Sequence, residues 1–325
     1  MQPDVGDVHV NALLSTLSIA LMNDDAGFIA SGMFPDVYLE KQSDVYPVYG
    51  SGTFFQDPGH DAMVRAPGAP TPLAGYTMST SPYYAENFAI GAEIPDELRA
   101  NRDAVYDLDN NALQLVTGIQ KIRRERAFSA DFMTTGVWGT DATGGSTFTK
   151  WSDYGGSDPI RDFRTGIRTV QTATGRRPNK LGMGRIVWDK LQDHPDLVGR
   201  LNGGATPGQP AIVKREFLAQ LLEIDEVLVG DAVYDATAEG GTPSLTRIVD
   251  DDALLLYTPR SPGLMTPAGG YTFVWRTAQN GTQAPWFIRK WRDDRQRRDV
   301  IEAHAYWDQV KTLAAAGYFF SDAVD

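Results

Sequence analysis

Residues 96–132 read DELRANRDAVYDLDNNALQLVTGIQKIRRERAFSADF. Pro95 stands just before the run, Asp96 and Glu97 open it, and the basic string KIRRER (121–126) lies near its far end. Proline suits a helix start, and acids before bases oppose the helix dipole. Apolar side chains at Val105, Leu108, Ala112, Leu115, Ile119 and Ile122 step by three and four residues, which predicts one stripe along one face. One helix over 96–132 would be about 55 Å long, well beyond the usual globular length. It would serve as a spine; a heptad reading as coiled coil is the alternative.

Upstream, 50–75 holds five glycines and four prolines, which predicts a long loop or open hairpin, and loops of this size are usually functional. It carries Phe54, Phe55, Met63 and Arg65; apolar side chains on such a loop make sense if they dock on a partner. Val10–Met22 is a helical candidate and Met33–Val48 an extended stretch, together an arm. Downstream, a helix is expected from Asp158 to Gly175, with Pro159 in its first turn. A strand near Lys180–Met183 follows, then helices at Arg185–Gln192 and Val213–Leu222 and a strand at Glu226–Val229. Asp235–Ser244 is a glycine-bearing excursion, and strands are expected at Ala253–Tyr257, Tyr271–Arg276 and Trp286–Trp291. In a last strand, Val300–Thr312, Ile301, Ala303, Ala305 and Trp307 alternate with polar residues. The class is α+β.

The 325 residues, 42% hydrophobic and 22% charged, are globular in composition. Without cysteine, disulfides and thiolate chemistry are excluded. The acidic N-terminus gives no export signal, and no run approaches the ~18 apolar residues of a membrane helix. A net charge of −12 argues against a chain whose main task is gripping nucleic acid. Residues 1–95 hold two bases against eleven acids, a local balance of −9, while bases gather in KIRRER and in RKWRDDRQRR, 289–298. Acidic and basic regions of one chain can meet across subunits and fix register. Arg123, Arg124, Arg126, Arg292 and Arg295, with Phe54, Phe55, Met63 and Arg65, are therefore the candidate assembly contacts.

Catalytic patterns are missing from the sequence. KLGMGRIV, 180–187, has two glycines of a dinucleotide turn, but Val187 holds the third position. Asp107, Asp109 and Asn111 begin like a calcium loop, but Ala112 replaces its turn glycine. His9, His60, His194 and His304 are scattered singly, and Asp250–Asp252 reads as an acidic turn. No catalytic residue, metal or cofactor is expected.

Several strings resemble one family of phage major capsid proteins. They are FIASGMFPDVYLEKQSDVYPVYG (28–50), TTGVWGTD (134–141), RRPNKLGMGRIVWDKLQDHPDLVGRL (176–201), EVLVGDAVYDATAEG (226–240), LLLYTPRSPGLMTPAGGYTFVW (254–275) and GYFFSDAV (317–324). The weight lies in their number and order across nearly the whole chain. The resemblance implies the HK-ninety-seven-like fold of tailed-phage and herpesvirus capsids. An N-terminal arm would occupy 1–48, an E-loop hairpin 49–92, and a P-domain with the spine helix 93–157. An A-domain would occupy 158–290, with a return strand to the P-domain at 291–325. It implies self-assembly into pentamers and hexamers of an icosahedral virion shell around double-stranded DNA, built in the host bacterial cytoplasm without a membrane. A separate scaffold protein, a portal and decoration proteins are the further partners. An encapsulin-type nanocompartment is the alternative, and a carboxylate-based hydrolase a more distant one.

Overall fold

A computed structural model of the chain describes residues 22–50, 52–102, 107–202, 213–237, 240–263, 266–277 and 286–325. The expected helix from Val10, apart from Met22, lies outside them, as do His9 and Val105. In chain order the elements are α1 (Ala30–Met33), β1 (Asp36–Leu39), β2 (Ser43–Tyr49), α2 (His60–Met63), β3 (Met78–Tyr84), β4 (Glu86–Pro95), α3 (Asp96–Asn101) and α4 (Leu108–Phe132). Next come β5 (Thr140–Thr143), α5 (Pro159–Thr174), β6 (Lys180–Gly184), α6 (Arg185–Gln192), α7 (Pro195–Asn202), α8 (Arg215–Leu222) and β7 (Glu226–Gly230). Last are β8 (Val233–Asp235), β9 (Leu245–Arg247), β10 (Ala253–Leu256), β11 (Gly270–Trp275), β12 (Phe287–Asp293), β13 (Arg298–Lys311) and β14 (Gly317–Ser321).

Two five-stranded sheets carry the body. The first is built on β13, whose early half pairs with β12 and whose late half pairs with β11, itself parallel to β1; β4 runs antiparallel to β13 from Arg298 to Trp307. The alternation expected in β13 holds, with Ile301, Ala303, Ala305 and Trp307 buried. The second sheet has the order β5-β14-β10-β6-β7. One face packs Leu181, Met183 and Leu255 under α5 to α8; the other packs Leu254, Leu256 and Phe319 against α1, the end of α4 and Trp138. Because both faces are covered, β10 and β14 up to Phe320 carry only apolar or aromatic side chains and lack the alternation that marks a half-exposed strand. That is why β14 escaped the sequence reading.

The sheets cut across the expected domain boundaries. β5 and β14, from segments 93–157 and 291–325, join strands of 158–290, while β11 of that segment joins the first sheet. The hairpin expected from 49 onward already begins at Ser43, because β2 pairs with β3 from Ser43↔Tyr84 to Tyr49↔Met78.

The helices beyond 158 follow their local signals. Asp158 accepts from the Arg161 amide at 2.9 Å, and Gly175, at φ 67°, closes α5 in the left-handed region. α7 was not anticipated. The glycines of KLGMG serve packing: a Cβ at Gly182 would lie 2.9 Å from Met33 Sδ, and one at Gly184 would strike the Asp250 carbonyl.

The spine departs from expectation twice. It is not one helix over 96–132: α3 ends where Arg102 turns extended, and α4 starts afresh with Asp107 accepting from the Asn110 amide at 3.1 Å. At 25 residues, α4 is about 37 Å long. Its buried face also follows the apolar stripe only at the start, where Leu108 and Ala112 are buried. Ala112, Val116, Gln120, Arg124, Ala127 and Phe128 are buried, whereas Leu115 and Ile119 are 57% and 37% exposed. The two faces lie roughly a third of a turn apart. Polar side chains with backbone partners took the inner face, and so the apolar pattern misled.

Val116→Asp should therefore abolish soluble folding, since an unpaired buried carboxylate costs several kcal/mol. Leu115→Asp should leave the far-UV dichroism and thermal midpoint of the isolated chain nearly unchanged. Equal effects from both substitutions, measured by thermal melts, would contradict this orientation of the helix.

Candidate assembly surfaces

The inner face of α4 binds three parts of the chain through polar groups. Gln120 Nε2 donates to the Phe88 carbonyl of β4 at 2.9 Å and to the Ala303 carbonyl of β13 at 3.1 Å. Arg124 forms a buried ion pair with Asp36 of β1. Glu125, 1% exposed, accepts from the Ile29 and Ala30 amides at 2.9 Å each, satisfying the N-terminus of α1. The incoming segment is further held where Lys121 meets Asp25, Lys180 reaches the Gly32 carbonyl, and Asn23 brackets Val233 with two hydrogen bonds. Near the start of α4, Arg99 and Lys290 both pair with Asp109 and hold its carboxyl down at about 2.

Arg124 is thus an internal strut and not a surface contact, because both terminal nitrogens of its guanidinium donate to Asp36 in a site only 6% exposed. Arg123 lies 5.3 Å over the Phe88 ring, which stacks on Trp307, and Arg126 lies 4.1 Å over Tyr234. Arg292 pairs with Asp96, Asp294 and Asp299. These three help fix the fold even where they reach the surface. Arg295 sits in the exposed β12–β13 turn, with no side-chain partner among the described residues.

The hairpin residues are placed differently. Phe54, Phe55 and Met63 are 57%, 66% and 65% exposed, and Val64 and Tyr76 beside them are also open. Phe54, Tyr49 and Tyr76 cluster with ring centroids about 6 Å apart. Arg65 donates to Thr71 within the same tip. The structure therefore brings Phe54, Phe55, Met63 and Arg65 to one largely exposed tip, with the Phe55 ring beside Gly175 at the end of α5, while the basic strings belong to the body. Leu115 and Ile119 form an exposed ridge although their apolar spacing predicts a core position.

Groups with chemical potential are occupied structurally. His194 Nδ1 accepts from the Asp196 amide, so Nε2 carries the proton and donates to Ser157 Oγ at 3.0 Å; the serine in turn donates to the Asp153 carbonyl. This polarity is the reverse of that of a base activating a nucleophile, and burial lowers the His194 pKa. His304 pairs with Glu302. Asp252 accepts from the Asp322 amide, with burial and the neighbouring Asp251, Asp250 and Asp322 pushing its carboxyl up to about 7. Among the described residues no cluster of metal-ligating side chains forms, and no helix is long and apolar enough to cross a membrane.

No protein-family model matches the chain. Major capsid proteins of Pseudomonas phage JBD67 and Burkholderia phage BcepMu are similar to it. The first is 26% identical with 96% of each chain covered; the second is 23% identical, covering 81% of this chain and 82% of the relative. Among solved structures, a phage-related protein from Bordetella bronchiseptica superposes with a TM-score of 0.68 at 19% identity, over 93% of each chain. The capsid of cyanophage P-SCSP1u gives 0.63 at 10% identity, over 100% of this chain and 96% of that one. An encapsulin complex from Synechococcus elongatus gives 0.55 at 11%, over 98% and 96%. The fold is that of the tailed-phage capsid subunit. Phage capsid and encapsulin share it; the sequence relatives are phage major capsid proteins, and they support a structural capsid-shell protein more than the encapsulin alternative.

Burial outweighs the two amides and Arg124 and pushes Glu125 up from 4.5 to about 7. A carboxyl that holds its proton more tightly when folded adds stability that is complete below its unfolded pKa and is lost as pH rises through the folded one. Stability should therefore fall between pH 4.5 and 7, by on the order of 3 kcal/mol for Glu125. Urea midpoints across this range test it; Glu125→Gln should flatten the slope, and an unchanged slope would refute the assignment.

Proposed function

We propose that the chain closes into pentamers and hexamers that tile an icosahedral virion shell around double-stranded DNA, and that it catalyses no reaction. The carrying observation is the apolar hairpin tip, where Phe54, Phe55 and Met63 are each more than half exposed although the Phe55 ring lies beside Gly175 at the end of α5. Exposed apolar groups on a projecting element are stabilised when a neighbour covers them. In the shell, the 43–84 hairpin lies over the next copy, and the Leu115–Ile119 ridge receives such a neighbour. Contacts of this head-to-tail kind close into rings.

The hairpin is the E-loop. The first sheet with α4 is the P-domain, and the second sheet with α5 to α8 is the A-domain. The expected arm stops before Ser43, where the hairpin begins, and β11 to β13 bring the chain back to the P-domain. Assembly takes place in the host bacterial cytoplasm with a separate scaffold protein and a portal, and decoration proteins bind the finished shell. Arg65 and Arg295, which the fold leaves exposed, meet acidic side chains of neighbouring copies. Arms and hairpins together bury on the order of 2,000 Å² or more per set of contacts, which offsets the entropy lost in ordering them.

Deleting residues 51–74 should give a subunit with unchanged far-UV dichroism that sediments as monomers or small rings. Normal shells from the deletion, seen by sedimentation velocity, would overturn the role given to the tip.

A further inference from the structure

Although the chain is strongly acidic overall, residues 163–188 contain no Asp or Glu and six basic residues: Arg164, Arg168, Arg176, Arg177, Lys180 and Arg185. The structure sorts these six into two groups. Arg177 pairs with Glu223, Lys180 is buried against the Gly32 carbonyl, and Arg185 pairs with Asp189 and Asp231. Arg164, Arg168 and Arg176 are exposed and meet no carboxylate among the described residues. On α5, whose opposite side buries Ile160, Phe163, Ile167 and Val170 in the core, Arg161, Arg164 and Arg168 fall within about 60° of one another on the solvent face. Arg176 extends the row just past the Gly175 cap. Thr165, Gln171 and Thr172 are the exposed residues beside it.

We infer that this arginine row is a sequence-independent docking surface for the phosphate backbone of duplex nucleic acid. The inference rests on the shell reading, and the row would mark the face of the subunit turned toward the enclosed genome. Charge complementarity favours this occupant. Guanidinium forks match phosphate oxygens, and Thr and Gln side chains supply the neutral donors common at phosphate contacts. Along α5 the guanidinium-bearing positions rise by about 4.5 and 6 Å, a spacing on the scale of successive phosphates on one strand. An acidic segment of another copy is the competing occupant. Asp25, Asp36, Glu40, Asp44 and Glu93 of the acidic first third are already paired within the chain, whereas Asp57, Asp61 and Glu86 meet no lysine or arginine among the described residues, so the polyglutamate arm of the test reads this competitor directly.

The test uses the full chain, a fluorescent 20-base-pair DNA duplex and a labelled polyglutamate, with anisotropy read as a function of salt. Three phosphate contacts predict a log–log salt slope shallower by about 2.7 in Arg164→Ala/Arg168→Ala/Arg176→Ala. That corresponds to losing about a 40-fold drop in affinity between 50 and 200 mM salt. The triple lysine variant should keep most of the slope. Equal slopes for wild type and the alanine variant, or tighter binding of polyglutamate than of DNA, would overturn the inference. Electron microscopy of the same samples keeps the two claims apart. Normal shells with an unchanged slope refute only the arginine row, whereas no assembly under any condition refutes the shell reading on which it rests.

Discussion

The arrangement depends on a row of polar side chains buried along one face of α4. Gln120, Arg124 and Glu125 reach the first sheet through β4 and β13, the incoming segment through β1, and the α1 amides. Each donor or acceptor left alone in that setting would cost on the order of 1–3 kcal/mol, more if charged. The three segments they hold are therefore tied to one position on the helix. Apolar packing alone would tolerate rotation of a helix on a sheet; directional hydrogen bonds to fixed carbonyls and amides do not.

That constraint has a consequence at the surface. With polar groups occupying the inner face, the apolar side chains Leu115 and Ile119 are turned outward, alongside an apolar hairpin tip that the body does not cover. For a monomer this is a poor solution, because exposed apolar patches invite association. For a shell subunit the same arrangement would be useful, because apolar surfaces left open on one copy are stabilised when another copy covers them. The ion pairs around Asp96, Asp109 and Asp299 fix α3 and the β12–β13 hairpin against the helix.

Much of this was legible in the sequence where local chemistry decides. The Asp158 cap, Pro159 and Gly175 delimit α5 almost to the residue, and period-two alternation identifies β13. The glycine- and proline-rich segment 50–75 does form the end of the hairpin, with Phe54, Phe55 and Met63 exposed. The failures arise where tertiary partners decide. Arg124 reads as a surface base, yet Asp36, 88 residues away, draws it inside. Leu115 reads as core because nothing in an apolar spacing reveals that Gln120 will find two carbonyls. β14 is hidden because burial on both faces erases its alternation, and the break between α3 and α4 turns on one capping aspartate, Asp107.

The most direct measurement is cryo-electron microscopy of whatever the purified full-length chain forms, alone and with a scaffold protein. Closed hollow shells of five- and six-membered rings are expected, with the 43–84 hairpin of each copy lying across its neighbour and Leu115 and Ile119 covered. A monodisperse monomer under all conditions, or particles in which both surfaces face solvent, would contradict the account of this chain as a shell subunit.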